Sequence, residues 1–91
     1  MKPQSSILIA DDDDIFRELL ASFFSDAGFK VSTAINGNEA FTVFIKEKPD
    51  VVITDVIMPI ENGIDFAKKV LSTGIKVPII FISGYTSNKD L

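Results

Sequence analysis

Four short apolar runs divide the chain, and between them the apolar positions take a helical spacing. Ile7 to Ala10 is continuous and apolar, the pattern of a strand covered on both faces. After it, Phe16, Leu19, Leu20, Phe23, Phe24 and Ala27 lie at offsets of 3, 4, 7, 8 and 11, which predicts a helix with an apolar stripe. Asp13 or Asp14 suits its N-cap, and Gly28 suits a left-handed end. Residues 29–34 alternate and predict a second strand, at a sheet edge. Asn36 followed by Glu39 resembles a capping box and opens a second helix through Ala40, Phe41, Phe44 and Ile45, stopped by Pro49. Residues 50–55 predict a third, strongly apolar strand. Pro59 and Gly63 punctuate a loop over 56–63. Phe66, Ala67, Val70 and Leu71 give a third helical stripe, ended by Gly74. Residues 77–83 predict a fourth buried strand, and Thr86 or Ser87 suits the cap of a helix beginning after it.

Strands alternating with helices in this way predict an α/β fold: a parallel sheet covered by helices on both faces. Right-handed crossovers restrict its topology. Sites in such sheets form at the carboxyl ends of the strands, near the point where strand order reverses. The polar residues that fall there are Asp11 and Asp12 after the first strand, Asp55 at the end of the third and Ser83 at the end of the fourth. The run Asp11-Asp12-Asp13-Asp14 poses an electrostatic problem, since two charges ~4 Å apart repel by roughly 4 kcal/mol at an effective dielectric of about 20. Asp13 and Asp14 are accounted for as helix cap and first-turn acids. Asp11 and Asp12 precede the helix. With Asp55 they would form a hard, oxygen-rich site suited to Mg²⁺, which would offset the repulsion. An Asp in that setting is a candidate nucleophile toward phosphorus.

Length and composition narrow the reading. Ninety-one residues suit one domain over 1–91. A hydrophobic fraction of 46% with 24% charged residues is that of a globular chain. The net charge of −4 argues against a nucleic-acid surface and is compatible with a cation site. Without Cys there is neither a disulfide frame nor a thiolate metal site, and a cytoplasmic location is the expectation. No stretch approaches the ~18 apolar residues of a membrane span, and the first apolar run is too short for a signal peptide.

Taken in order, "ILIADDDD", "VVITDVIMP", "NGIDF" and "VPIIFISGY" resemble the receiver domain of two-component response regulators over the whole chain. The resemblance implies a doubly wound, flavodoxin-like parallel sheet of strand order 2-1-3-4. It implies that Asp55 accepts a phosphoryl group from a histidine kinase or a phosphotransfer protein. Mg²⁺ would be held by Asp12 and Asp55 directly, by Asp11 mainly through water, and by the backbone carbonyl of Ile57. Ser83 would be the switch hydroxyl that turns toward the phosphoryl group, with Ile57 and Tyr85 modulating hydrolysis of the phosphate. Such a domain is a phospho-acceptor and regulator, not an enzyme. Receivers continue through a fifth βα unit, whose strand ends in a Lys that pairs with the phosphoryl group. That unit is missing here, and Lys89 is no substitute, lying where a fourth helix would begin. The fourth strand then becomes an apolar edge, and self-association through it is expected.

Two other classes compete. A phosphohydrolase of the haloacid-dehalogenase type begins with a strand followed by D-x-D, which Asp11 and Asp13 satisfy, but it gives Asp55 no place. A receiver-like interaction module would bind partners without phosphorylation.

Overall fold

The computed structural model describes residues 4–82. In chain order its elements are β1 (Ser6–Ala10), α1 (Asp14–Asp26), β2 (Lys30–Ala34), α2 (Gly37–Glu47), β3 (Val51–Asp55), α3 (Gly63–Ser72) and β4 (Ile79–Ile82). All pairings are parallel and the strand order is β2-β1-β3-β4, with β2 at one edge as expected. Ser83, Tyr85 and the helix start at Thr86 or Ser87 lie outside the described residues.

The register is fixed at the bottom of the sheet. Asp50 and Ser6 clasp each other: the Ser6 N–H donates to Asp50 Oδ2 at 2.8 Å, and the Asp50 N–H donates to the Ser6 carbonyl at 2.9 Å. Leu8 then pairs with Val52 and Ala10 with Thr54, which brings the ends of β1 and β3 level. A slip of one residue would turn every buried side chain to the wrong face.

Alternate strand residues feed two cores. Leu8, Ala10, Ala34 and Val52 face α2 and α3 and pack with Phe44, Met58, Phe66 and Val70. Phe44 and Phe66 are fully buried, each worth ~1.5–3 kcal/mol over leaving the side chain in water. On the other face Ile7, Ile9 and Ile53 pack beneath Leu20, Ala21 and Phe24 of α1.

Three apolar stripes are only partly covered by the described residues. On α1, Leu20 and Phe24 reach the sheet, but Leu19 and Phe23 are 63% and 65% exposed, and Phe16 is also exposed. The stripe is wider than the surface that β1 and β2 offer it. Leu71 of α3 faces solvent one position past buried Val70. The fourth strand, expected to be buried, has Ile80 at 51% and Phe81 at 43% exposure because β4 is the other edge of the sheet.

Helix ends follow the local chemistry closely. Asp13 caps α1, its Oδ1 accepting from the N–H groups of Ile15 and Phe16, and Gly28 takes φ +101° just after the helix. Asn36 caps α2 by accepting from the Glu39 N–H at 2.8 Å. The return bond of the capping box goes one residue further back than usual, from the Ile35 N–H to Glu39 Oε1. α2 ends at Lys48, which is left-handed with φ +49°, just before Pro49.

Candidate functional site

At the carboxyl ends of β1 and β3 the parallel register places two acid-bearing loops side by side. Asp11, the first residue after β1, is buried. Its N–H donates to the Ala34 carbonyl at the end of β2, and its Oδ1 accepts from the Asp13 N–H at 2.9 Å. That turn sends Asp13 into the helix and leaves Asp12 exposed at the rim. Asp55 closes β3 and is 8% exposed. Its Oδ1 accepts a long bond of 3.4 Å from the Ile57 N–H. Carboxylate oxygens of Asp11, Asp12 and Asp55 all lie within 4.8 Å of one another. The four-aspartate run therefore separates as the spacing suggested, with Asp13 on the helix and Asp14 paired to Arg17 at 2.7 Å.

The electrostatics fit a cation. Burial is the main force raising the Asp11 carboxyl above its ordinary value; the Asp13 N–H opposes it, and the charges of Asp55, Asp12 and Asp13 add to it. Burial also leads for Asp55, opposed by the N–H groups of Ile57 and Val56 and reinforced by Asp12 and Asp13. Two unit charges ~4.8 Å apart repel by roughly 3.5 kcal/mol at an effective dielectric of about 20, and by less where solvent screens them, as it does at exposed Asp12. A divalent ion bound by oxygen ligands offsets that repulsion, and carboxylate oxygens are the donors that a hard cation takes.

The loop after Asp55 is held at several points. The Gly63 N–H donates to the Val56 carbonyl at 2.8 Å, and the Val56 N–H donates to the Ile82 carbonyl at 3.3 Å. Met58 is buried in the α2–α3 core, while Ile57 stands 62% exposed beside Asp55. The Glu61 N–H donates to the Pro59 carbonyl at 2.7 Å, closing a three-residue turn around Ile60. Ile60 has φ +67°, and its side chain is 84% exposed. A β-branched residue in that region costs ~1–3 kcal/mol. Ile60→Gly removes the strain with almost no packing loss, and returns ~0.4–1 kcal/mol as unfolded-chain entropy. The expected net effect is stabilisation by about 1 kcal/mol in urea unfolding.

Several positions escaped the sequence reading. Asn62, whose Oδ1 accepts from the Asp65 N–H at 2.9 Å, caps α3; an Asn three residues before an Asp was the available signal. Arg17 reaches back to donate to the Asp11 carbonyl at 3.0 Å, steadying the loop that carries Asp11. Glu61 pairs with Lys69 of α3 at 3.0 Å, and the Lys69 ammonium lies 5.6 Å from the Phe41 ring centroid. These contacts join residues by folding and leave no short-range pattern. Of the expected site residues, Asp11, Asp12 and Asp55 are brought together, and Ile57 is joined to Asp55 through its N–H.

Residues 7–91 match the family model described as the response regulator receiver domain. Among curated proteins the chain is similar to the alkaline phosphatase synthesis transcriptional regulatory protein SphR of Synechococcus elongatus, 31% identical over 97% of this chain and 38% of SphR. It is 38% identical to the regulatory protein AtoC of Escherichia coli over 87% of this chain and 17% of AtoC. The chain thus spans well under half the length of these relatives. Among solved structures, TrrA of Thermotoga maritima in complex with Mg²⁺ and BeF superposes with a TM-score of 0.84 at 31% identity, over 96% of this chain and 76% of TrrA. The receiver domain of the hybrid histidine kinase CckA superposes at 0.83 with 34% identity, over 89% of this chain and 77% of that one.

Proposed function

We propose, since the chain belongs to the response regulator receiver domain family, that Asp55 is the phospho-acceptor of a two-component signalling step. The observation that carries this reading is the meeting of Asp11, Asp12 and Asp55 within 4.8 Å at the carboxyl edge of the sheet. An Asp55 carboxylate oxygen attacks phosphorus in line. The bond from phosphorus to the donor's imidazole nitrogen breaks, the imidazole keeps the electron pair, and an acyl phosphate forms. Asp12, Asp55 and the Ile57 carbonyl would hold Mg²⁺ directly, with Asp11 mainly through water. When bound, the ion neutralises charge shared by the carboxylates and the phosphoryl oxygens. The donor would be a histidine kinase or a phosphotransfer protein, and the chain acts as acceptor and regulator rather than as an enzyme, in the cytoplasm. Ser83 as switch hydroxyl, and Ile57 and Tyr85 as modulators, belong to the same reading. For Ile57 the support is its exposed place beside Asp55; for Ser83 and Tyr85 it is the family resemblance.

Incubation with Mg²⁺ and acetyl phosphate tests it. Mass spectrometry should find one added phosphoryl group, on the peptide containing Asp55. A label that depends on Asp11 as acceptor would favour a phosphohydrolase, and no label would favour a module that works by binding alone.

Residues 1–91 would hold the first four strands of a receiver. Among the described residues β4 stands at an edge with Ile80 and Phe81 half-exposed, and no charged residue lies from Val77 to Ile82. A second copy pairing along β4 would cover both. Sedimentation of the 91-residue chain should show a concentration-dependent dimer, and Ile80→Lys should shift it to monomer by at least tenfold in dissociation constant. A compact monomer at high concentration would exclude the pairing.

A further inference from the structure

The turn from β2 into α2 touches both halves of the acidic site. At its start, the Ala34 carbonyl accepts from the Asp11 N–H at 3.0 Å. Three residues later, the Gly37 N–H donates to the Glu61 carbonyl at 2.7 Å, in the loop that follows Asp55. Between these bonds the turn has little freedom. Asn36 is buried and caps α2, Glu39 Oε1 holds the Ile35 N–H, and Gly37 is buried. A Cβ on Gly37 would stand 2.4 Å from the Glu61 carbonyl oxygen and 2.9 Å from that of Asn62. Both obstacles are backbone, so a side chain here must push the loop and the helix start apart. The Glu61 side chain is tied in turn by its ion pair with Lys69.

We propose that the 34–37 turn is a strap across the site, and that Gly37 is a positioning residue setting the separation between the Asp11 and Asp12 loop and the loop of Asp55 and Ile57. Gly37 touches none of the carboxylates. It acts through Glu61 on one side and through Ala34 on the other. The consequence for Mg²⁺ rests on the Asp55 reading, because a hard cation is sensitive to small changes in ligand spacing. The strap itself rests on the backbone contacts of Ala34 and Gly37 and on the Lys69 pair that holds Glu61.

The test compares ¹⁵N-labelled wild type, Gly37→Ala, Lys69→Met and Ala40→Gly. Ala40 is buried one turn along α2, and its replacement by Gly lowers stability without adding an atom between the turn and Glu61. In the metal-free chain, Gly37→Ala should move the amide resonances of both Asp11 and Ile57. In a Mg²⁺ titration it should raise Kd at least fivefold, Lys69→Met should raise it two- to threefold, and Ala40→Gly should leave it unchanged despite a lower urea midpoint. If Gly37→Ala does not fold, Lys69→Met decides, by its Kd and by the Ile57 amide. Kd values within twofold of wild type for the folded variants, with unmoved Asp11 and Ile57 amides, would overturn the strap. A wild-type chain that does not bind Mg²⁺ would overturn the Asp55 reading instead, and the metal-free resonances would still decide the strap.

Discussion

Replacing Asp55 with Asn should abolish phosphoryl incorporation and, at the same time, make the metal-free chain more stable. The amide keeps the shape of the side chain and an oxygen for the Ile57 N–H, but it is not a nucleophile toward phosphorus. Loss of labelling should be complete. The gain in stability follows from the raised titration of Asp55, caused first by burial and then by the neighbouring charges of Asp12 and Asp13. A carboxyl that holds its proton more tightly in the folded chain favours folding while protonated. As pH rises from the ordinary value of 3.8 through the raised one, that contribution is lost. At neutral pH the wild type therefore folds against the cost of a buried charge that the Asn variant lacks. The urea midpoint of Asp55→Asn should exceed that of wild type at pH 7, and the difference should shrink as pH falls toward 4. Asp11 titrates in the same direction for the same leading reason. Mg²⁺ should raise the wild-type midpoint more than that of the variant. An unchanged midpoint at pH 7 would contradict the electrostatic account, and a labelled Asn variant would contradict the acceptor assignment.

Gly63→Ala should be the most destabilising single-methyl change near the site. A Cβ at Gly63 would lie 2.0 Å from the Asp55 carbonyl oxygen and 3.0 Å from Thr54 Oγ1. Thr54 is fully buried and donates its hydroxyl to that same carbonyl at 3.0 Å, so neither neighbour has room to yield. The first turn of α3 must move away, breaking the bond from the Gly63 N–H to the Val56 carbonyl. Overpacking against backbone costs ~3 kcal/mol. Because the bond that breaks holds Val56, the residue next to Asp55, phosphoryl incorporation should fall by more than tenfold in the fraction that remains folded. Chemical denaturation and labelling at matched folded fraction separate the two effects. A variant with wild-type stability would show that α3 can shift without cost.

The strand–helix alternation, the caps at Asp13 and Asn36 and the grouping of Asp11, Asp12 and Asp55 were all legible from the sequence. Each depends on periodicity over a few residues or on the rule that strands of a parallel sheet end at one edge. What was not legible depends on which neighbour covers a surface. The α1 stripe gave no sign that Leu20 and Phe24 reach the sheet while Leu19 and Phe23 do not. The apolar run of β4 by itself read as buried; its place at the edge came from the strand order that the family resemblance implied, and the structure has it there among the described residues. Gly63 read as loop punctuation, and Gly37 gave no signal of its own. Their close approach to Glu61 and Asp55 arises from packing between segments distant in the chain.

The clasp between Ser6 and Asp50 also bears on how fast the chain folds. It joins residues 44 positions apart, so α1, β2 and α2 all lie within the loop it closes. Closing such a loop costs roughly 1.2 kcal/mol more entropy than closing one a quarter as long. Helices and short turns form within about microseconds, but β1 cannot meet β3 until the long loop has closed, and β4 has no partner until β3 is in place. The acidic site therefore depends on the strand pairing with the greatest separation in sequence among the described residues. Asp11 and Asp55 come together only when the sheet does, so the chain acquires its acidic site late in folding rather than building its fold around it.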